Sequence, residues 1–125
     1  MMTGKILLCA ATAMLASASF AQAAPVGDAM RGKTAFATCA VCHSVAANRN
    51  GIGPSLFGVV GRTAGTVPGY SYSAAMKTAG TWTAARLDAY VTNPKATVPG
   101  NKMPFNGVAD PQKRADIVAY LVSLK

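Results

Sequence analysis

The chain has 125 residues, 12 Lys and Arg, 4 acidic residues and 1 His, for a formal net charge of +8. That length holds one domain, and the acids are all aspartates. With no Glu and a lone His, most acid–base active sites cannot be assembled: a two-carboxylate glycosidase is poorly supplied, and a Ser–His–Asp device would depend on His43 alone.

The first residues read as export machinery. Lys5 supplies a short positive region, residues 6–15 are apolar, and Ala21-Gln22-Ala23 places small residues where a signal peptidase reads them. This is the pattern of a secretory signal peptide over residues 1–23, leaving a domain at 24–125. The apolar run is too short for a membrane span, which needs about 20 residues, so no stable membrane insertion is expected. Cys9 lies inside that run rather than at the cleavage point, and reads as a small apolar residue. The 3 Cys are too few for a disulfide framework. A domain of this size often needs a cofactor or cross-link to complete its core.

Asp28 is a good N-cap, and Ala29, Gly32, Phe36 and Cys39 then recur at helical spacing. Gly32 on the apolar face predicts a close helix crossing, since Gly inside a helix costs about 1 kcal/mol against Ala. From Ala46 to Gly69 the chain carries six Gly and two Pro, which predicts loop with backbone approaching something closely. Ser73 to Ala79 predicts a short helix stopped by Gly80. Thr83 caps a second, with Leu87, Tyr90 and Val91 on one face, ended before Pro94. Pro94 to Ala109 reads as a Pro/Gly-punctuated loop holding Met103. Asp110-Pro111 is an N-cap followed by Pro at the first helical position, and Ile117, Val118, Tyr120, Leu121 and Leu124 form the buried stripe of a terminal helix. Alternating strand patterns are scarce. The expected fold class is small, loop-rich and all-α.

The chemistry lies in Cys39-Ala40-Val41-Cys42-His43, a C-x-x-C-H run, which is the attachment motif of c-type haem. Two thiols at this spacing reach the two vinyl groups on one porphyrin edge, and the adjacent His falls beneath the iron. A thioredoxin-type redox pair would need a βαβ context, and a zinc site would need a fourth ligand beside Cys39, Cys42 and His43. A chance motif in a buried helix is the remaining alternative. One motif predicts one covalent haem c. Because His43 is the sole His, the second axial ligand must be of another type. Met30 shares a helix with the Cys pair, and Met76 sits in a short helix where Met usually packs core. Met103 stands in a loop pinned by prolines and is the candidate, with an open or Lys-ligated iron as the alternative. His/Met ligation raises the reduction potential and leaves no open site for oxygen or peroxide.

With these residues in view, the sequence resembles a class I cytochrome c, of the bacterial cytochrome c2 or mitochondrial cytochrome c type. The likeness is carried by Gly27-Asp28, Gly32, Phe36, Cys39 to His43, Gly53-Pro54, Gly61-Arg62, Pro68 to Tyr72, Trp82, Tyr90, Asn93-Pro94-Lys95, Pro99-Gly100, Lys102-Met103 and Ala119-Tyr120-Leu121. The resemblance implies that the Pro54 carbonyl accepts from His43, that Arg62, Tyr72 and Trp82 satisfy the inner haem propionate, and that Tyr90 hydrogen-bonds the Met103 sulfur. It implies that Gly32, Phe36 and Tyr120 join the first and last helices. Asn101 stands where many members have Thr, with an amide that could still donate to a propionate. Ala109-Asp110-Pro111 replaces a lysine run of the mitochondrial members, leaving Lys95 and Lys102 near the expected haem edge.

The implied function is a monomeric, soluble periplasmic one-electron carrier, not an enzyme. Its implied partners are membrane or periplasmic redox complexes with acidic docking faces: a bc1-type donor and an oxidase or reaction-centre acceptor. The basic excess favours fast, weak, salt-sensitive complexes; export argues against nucleic acid. The alternatives are a dedicated electron-acceptor subunit of a periplasmic dehydrogenase, or a haem enzyme such as a peroxidase, for which Met103 would have to leave the iron.

Overall fold

The computed structural model describes residues 9–19 and 23–125. Residues 9–19 are exposed and lack regular structure. The predicted positive region at Lys5, most of the cleavage motif, and the start of the apolar run lie outside the described residues. Six helices follow: α1 (Ala29–Ala35), α2 (Ala37–Ala40), α3 (Ala74–Lys77), α4 (Ala84–Thr92), α5 (Pro94–Thr97) and α6 (Pro111–Val122). Among the described residues there is no β-strand, and Thr63 and Thr81 form an isolated bridge. The fold is all-α and loop-rich.

Local chemistry fixes the helix starts. The side chains of Asp28, Ser73, Thr83, Asn93 and Asp110 each accept a backbone N–H at the head of their helix, a cap contributing about 1 kcal/mol. Pro94 and Pro111 follow two of these caps, at a position where the missing N–H costs nothing.

Two expectations change. The run from Asp28 to Cys39 is not one continuous helix: at Phe36 the ladder tightens, with Phe36 O accepting from both Cys39 N (2.8 Å) and Ala40 N (2.9 Å). The tight turn restarts the helix as α2, which carries Cys39. In addition, Pro94 to Thr97, expected as loop, is helical, because Asn93 Oδ1 accepts from Ala96 N at 3.2 Å and caps it.

The first and last helices cross at Gly32, where any side chain would strike the Asp116 backbone. Phe36 packs edge-on against Tyr120, with ring centroids 5.3 Å apart. Beneath the crossing, Phe36, Ile117, Val118 and Leu121 join Trp82, Leu87 and Tyr90 in one core. Val91, Tyr120 and Leu124, expected at the same depth, are only partly covered.

A carboxylate fastens the crossing. Asp116 is buried, and it accepts from Asp28 N (2.8 Å), Arg31 Nε (2.9 Å), Arg31 Nη2 (3.0 Å) and Gln112 Nε2 (3.0 Å). Its pKa is held down to about 2, first by the Arg31 hydrogen bonds and then by Asp28 N–H and Gln112. Gln112 also donates to Val26 O at 2.8 Å, tying the segment that enters α1. Arg114 similarly joins α6 to α4 through Asp88 (3.2 Å), and to the end of the Met103 loop through the Val108 and Ala109 carbonyls (2.8 Å each).

Candidate haem site

The C-x-x-C-H run sits at the end of α2. His43 N donates to Cys39 O at 2.9 Å, so the turn folds back and gathers Cys39, Cys42 and His43 on one short element. Cys39 and Cys42 are both part-buried, and neither forms a disulfide. Burial pushes the Cys39 thiol up, with a smaller opposing pull from Lys113. A cavity of about 300 Å³ opens beside Cys39, between Phe105 and Val108 of the Met103 loop and Ile117 of α6.

His43 is oriented from behind. Its Nδ1 lies 2.7 Å from the Pro54 carbonyl. A carbonyl only accepts, so Nδ1 carries the proton and Nε2 keeps a free lone pair. Burial lowers the imidazole pKa, more than the Pro54 bond raises it, and Arg62 lowers it further; the ring is held neutral, as a metal ligand must be. The preceding residue has to be Gly, because a Cβ on Gly53 would overlap the imidazole ring. This ring is what the glycine-rich loop approaches. Asn50 braces the same loop, donating to Pro68 O (2.9 Å) and accepting from Ser55 N (3.0 Å). Sequence reading missed Asn50: a polar residue in a loop carries no mark of partners so far along the chain.

Met103 is half-buried against the core. The Tyr90 hydroxyl donates to its sulfur at 3.9 Å, long but within the reach of a sulfur acceptor. Burial pushes the Tyr90 phenol up to about 12, so it stays a donor. The Tyr90 ring lies 4.9 Å from that of Trp82, tilted by 56°.

Arg62 is half-buried, and burial lowers its pKa. Its hydrogen bond within the chain goes to Phe57 O at 3.1 Å. All four aspartates are committed elsewhere: Asp28 and Asp110 cap helices, Asp88 meets Arg114, and Asp116 meets Arg31. A part-buried cation with no carboxylate beside it calls for an anion from outside the polypeptide. The Tyr72 phenol accepts from Val67 N at 3.2 Å and keeps its own proton to donate. Trp82 is buried, its ring packed against that of Tyr90, and its indole can only donate. Cation, hydroxyl and indole are all donors, the set that a haem propionate requires.

The model of the cytochrome c family matches residues 29–125. The chain belongs to the cytochrome c family. It is 52% identical over 104 residues to the cytochrome c2 of Rhodopila globiformis, spanning 82% of this chain and 98% of that one. Among solved structures it is similar to cytochrome cH from Methylobacterium extorquens, with a TM-score of 0.73 and 48% identity, covering 78% of this chain and 99% of the other. Cytochrome c2 from Rhodospirillum centenum aligns with a TM-score of 0.75 at 36% identity, covering 79% and 99%. This cytochrome c therefore carries one covalent haem c on the Cys39–His43 motif, and it is a monohaem electron-transfer protein of the cytochrome c2 type rather than an enzyme.

The residues present fit that group. Two cysteine sulfurs, a neutral imidazole with Nε2 available, a thioether, and a half-buried Arg62 with no carboxylate beside it are what a covalent, propionate-bearing porphyrin needs. No described helix is long and apolar enough to cross a membrane.

Two polar residues make bonds within the chain that the sequence reading did not foresee. Asn101, expected as a propionate donor, spends both amide hydrogens inside the chain, on Pro94 O (3.0 Å) and Val98 O (2.9 Å). Lys102, expected near the haem edge, donates its ammonium to Ser71 O and lies over the Tyr70 ring at 5.1 Å from the centroid. Both contacts join residues whose meeting depends on how the loops fold, which local sequence does not reveal.

Proposed function

We propose that this cytochrome c is an exported, periplasmic one-electron carrier whose iron is held by His43 and Met103. The observation that carries the ligand assignment is the pair of second bonds: Pro54 fixes His43 with Nε2 free, and Tyr90 holds the Met103 sulfur. The other Met candidates are poorly placed, since Met30 is exposed on α1 and Met76 packs against the core from α3. The haem supplies a one-electron iron couple. The chain's own residues set its surroundings: Pro54 raises the basicity of His43, Tyr90 donates to the Met103 sulfur, and Arg62, Tyr72 and Trp82 would offer a propionate one cation and two neutral donors.

Export is supported by the leader pattern at residues 1–23, and by a motif whose haem is attached outside the cytoplasm. With Lys5 removed in the leader, 11 basic residues against 4 acidic leave +7 on residues 24–125, which supports partners with acidic docking faces, namely redox complexes in or at the membrane, with a bc1-type donor and an oxidase or reaction-centre acceptor. Lys95 is exposed and unencumbered for such contacts, whereas Lys102 is tied to the Tyr70–Ser71 segment.

The test is Met103→Ala in the haem-loaded protein. It should remove the sulfur-to-iron charge-transfer band of the ferric form, open the iron to imidazole, and lower the potential by roughly 0.1 V or more, within the ~0.8 V that axial ligands command. An unchanged spectrum would refute the ligand assignment. Export is checked separately: the protein recovered from the periplasm should begin at Ala24.

A further inference from the structure

The Met103 loop begins with a turn. Asn101 N donates to Val98 O at 3.1 Å, Pro99 sets the entry, and Gly100 has φ +90°, the geometry of a type II turn that glycine permits. The side chain of Asn101 then reaches in three directions. Its Nδ2 donates to Pro94 O (3.0 Å) and Val98 O (2.9 Å), and its Oδ1 accepts from Met103 N at 2.9 Å. Pro94 and Val98 are both buried in the core. One planar amide thus chains the backbone of Met103 to two immobile carbonyls. A hydroxyl residue at this position could not do the same, having a single proton to give.

We propose that Asn101 is the positioning residue that sets how firmly Met103 stays on the iron, through bonds kept within the polypeptide and not through a propionate. The inference rests on Met103 being the ligand. For the thioether to leave, the 101–103 segment must swing out; the bonds to Pro94 and Val98 oppose that swing, and the bond to Met103 N passes the restraint to the ligand residue. An outside ligand binds only the opened form, so its apparent affinity is scaled down by the open fraction. Loosening the clamp raises that fraction directly.

The experiment measures imidazole binding to the ferric, haem-loaded protein, and follows loss of the sulfur-to-iron band, for the unsubstituted chain, Asn101→Ala, Asn101→Asp, Thr97→Ala and Met103→Ala. Asn101→Ala should bind imidazole about tenfold more tightly or better, the equivalent of one to two net hydrogen bonds. Asn101→Asp keeps the acceptor for Met103 N but turns a carboxylate toward two carbonyls; it should shift the affinity in the same direction, and it serves if the Ala variant fails to hold haem. Thr97→Ala removes a nearby bond, from Thr97 Oγ1 to Ala89 O at 2.9 Å, that does not touch Met103; it should lower the unfolding midpoint and leave the imidazole affinity unchanged.

Two results would overturn the proposal: unaltered imidazole affinity in both Asn101 variants, or an equal gain in Thr97→Ala. If instead Met103→Ala keeps the sulfur band, it is the ligand assignment that fails, and this is distinguishable because no Asn101 variant is needed to see it.

Discussion

The α1–α6 crossing and the His43–Met103 side of the molecule are built by opposite rules. At the crossing, the chain answers its own demands: the Asp116 carboxylate takes hydrogen bonds from Asp28, Arg31 and Gln112, and Gly32 lets the backbones meet. On the haem side the chain holds groups in reserve. His43 Nε2, the Arg62 guanidinium and the Cys39 and Cys42 sulfurs are positioned by the fold to serve a group from outside the polypeptide. One region is complete as polypeptide, the other only with its porphyrin, so the two should fail independently.

The largest effect is expected from removing both attachment points. Cys39→Ala combined with Cys42→Ala should abolish haem retention on a denaturing gel, while Cys9→Ala leaves it unaltered. Retained haem in the double variant would mean that the motif is not the attachment site. Breaking the other region gives the complementary result. Gly32→Val drives a branched side chain into the Asp116 backbone. Overpacking a core costs typically about 1–3 kcal/mol, and a struck backbone places this variant at or above the upper end. Denaturant unfolding should show the loss, yet the haem should remain covalently bound. Full stability in Gly32→Val would mean that the crossing is looser than the structure describes.

The contrast also explains what the sequence revealed. Features written in adjacent residues were legible: the cap at Asp28, the Asp110-Pro111 start, the Cys39–His43 motif, and Gly32 as a crossing. The break at Phe36 was not, because Phe36 suits helix on either side and only the tightened bonds from Cys39 and Ala40 reveal it. Helix α5 was hidden by the Pro that starts it, since Pro94 reads equally as the end of α4. Asn101 was legible as a polar residue of the Met103 loop but not in its bonding, because Pro94 lies seven residues back and two donors can be aimed either inward or at a propionate.

A sharper probe of the crossing is pH. The Asp116 pKa lies at about 2 in the folded chain against an ordinary 3.8. A depressed carboxylate stabilises the fold fully above the ordinary value, and that contribution is lost as pH falls from about 4 toward 2. Asp116→Asn should therefore be less stable near neutrality and show a flatter acid dependence across that window, read from urea midpoints at a series of pH values. Haem propionates are common to both proteins and do not distinguish them. Parallel acid curves for the two would show that Asp116 is not the group the acid attacks.

The smallest effect should come from Tyr90→Phe, and it separates the two regions most finely. The substitution keeps the ring against Trp82 and deletes only the hydroxyl that donates to the Met103 sulfur at 3.9 Å. A bond of that length sits at the low end of the usual 0.5–1.5 kcal/mol, so the unfolding midpoint should move little. The sulfur, relieved of a donor, becomes a better electron source to the iron and favours the ferric state. A loss of about 0.5–1 kcal/mol between the two oxidation states corresponds to a fall in potential of roughly 20–40 mV for a one-electron couple. Since the phenol stays protonated to about 12, the difference between the two proteins should be constant from pH 5 to 9. A potential unchanged in Tyr90→Phe, with the sulfur-to-iron band intact, would show that the hydroxyl positions nothing the iron can feel, and would move Tyr90 from the haem side of the comparison to the core.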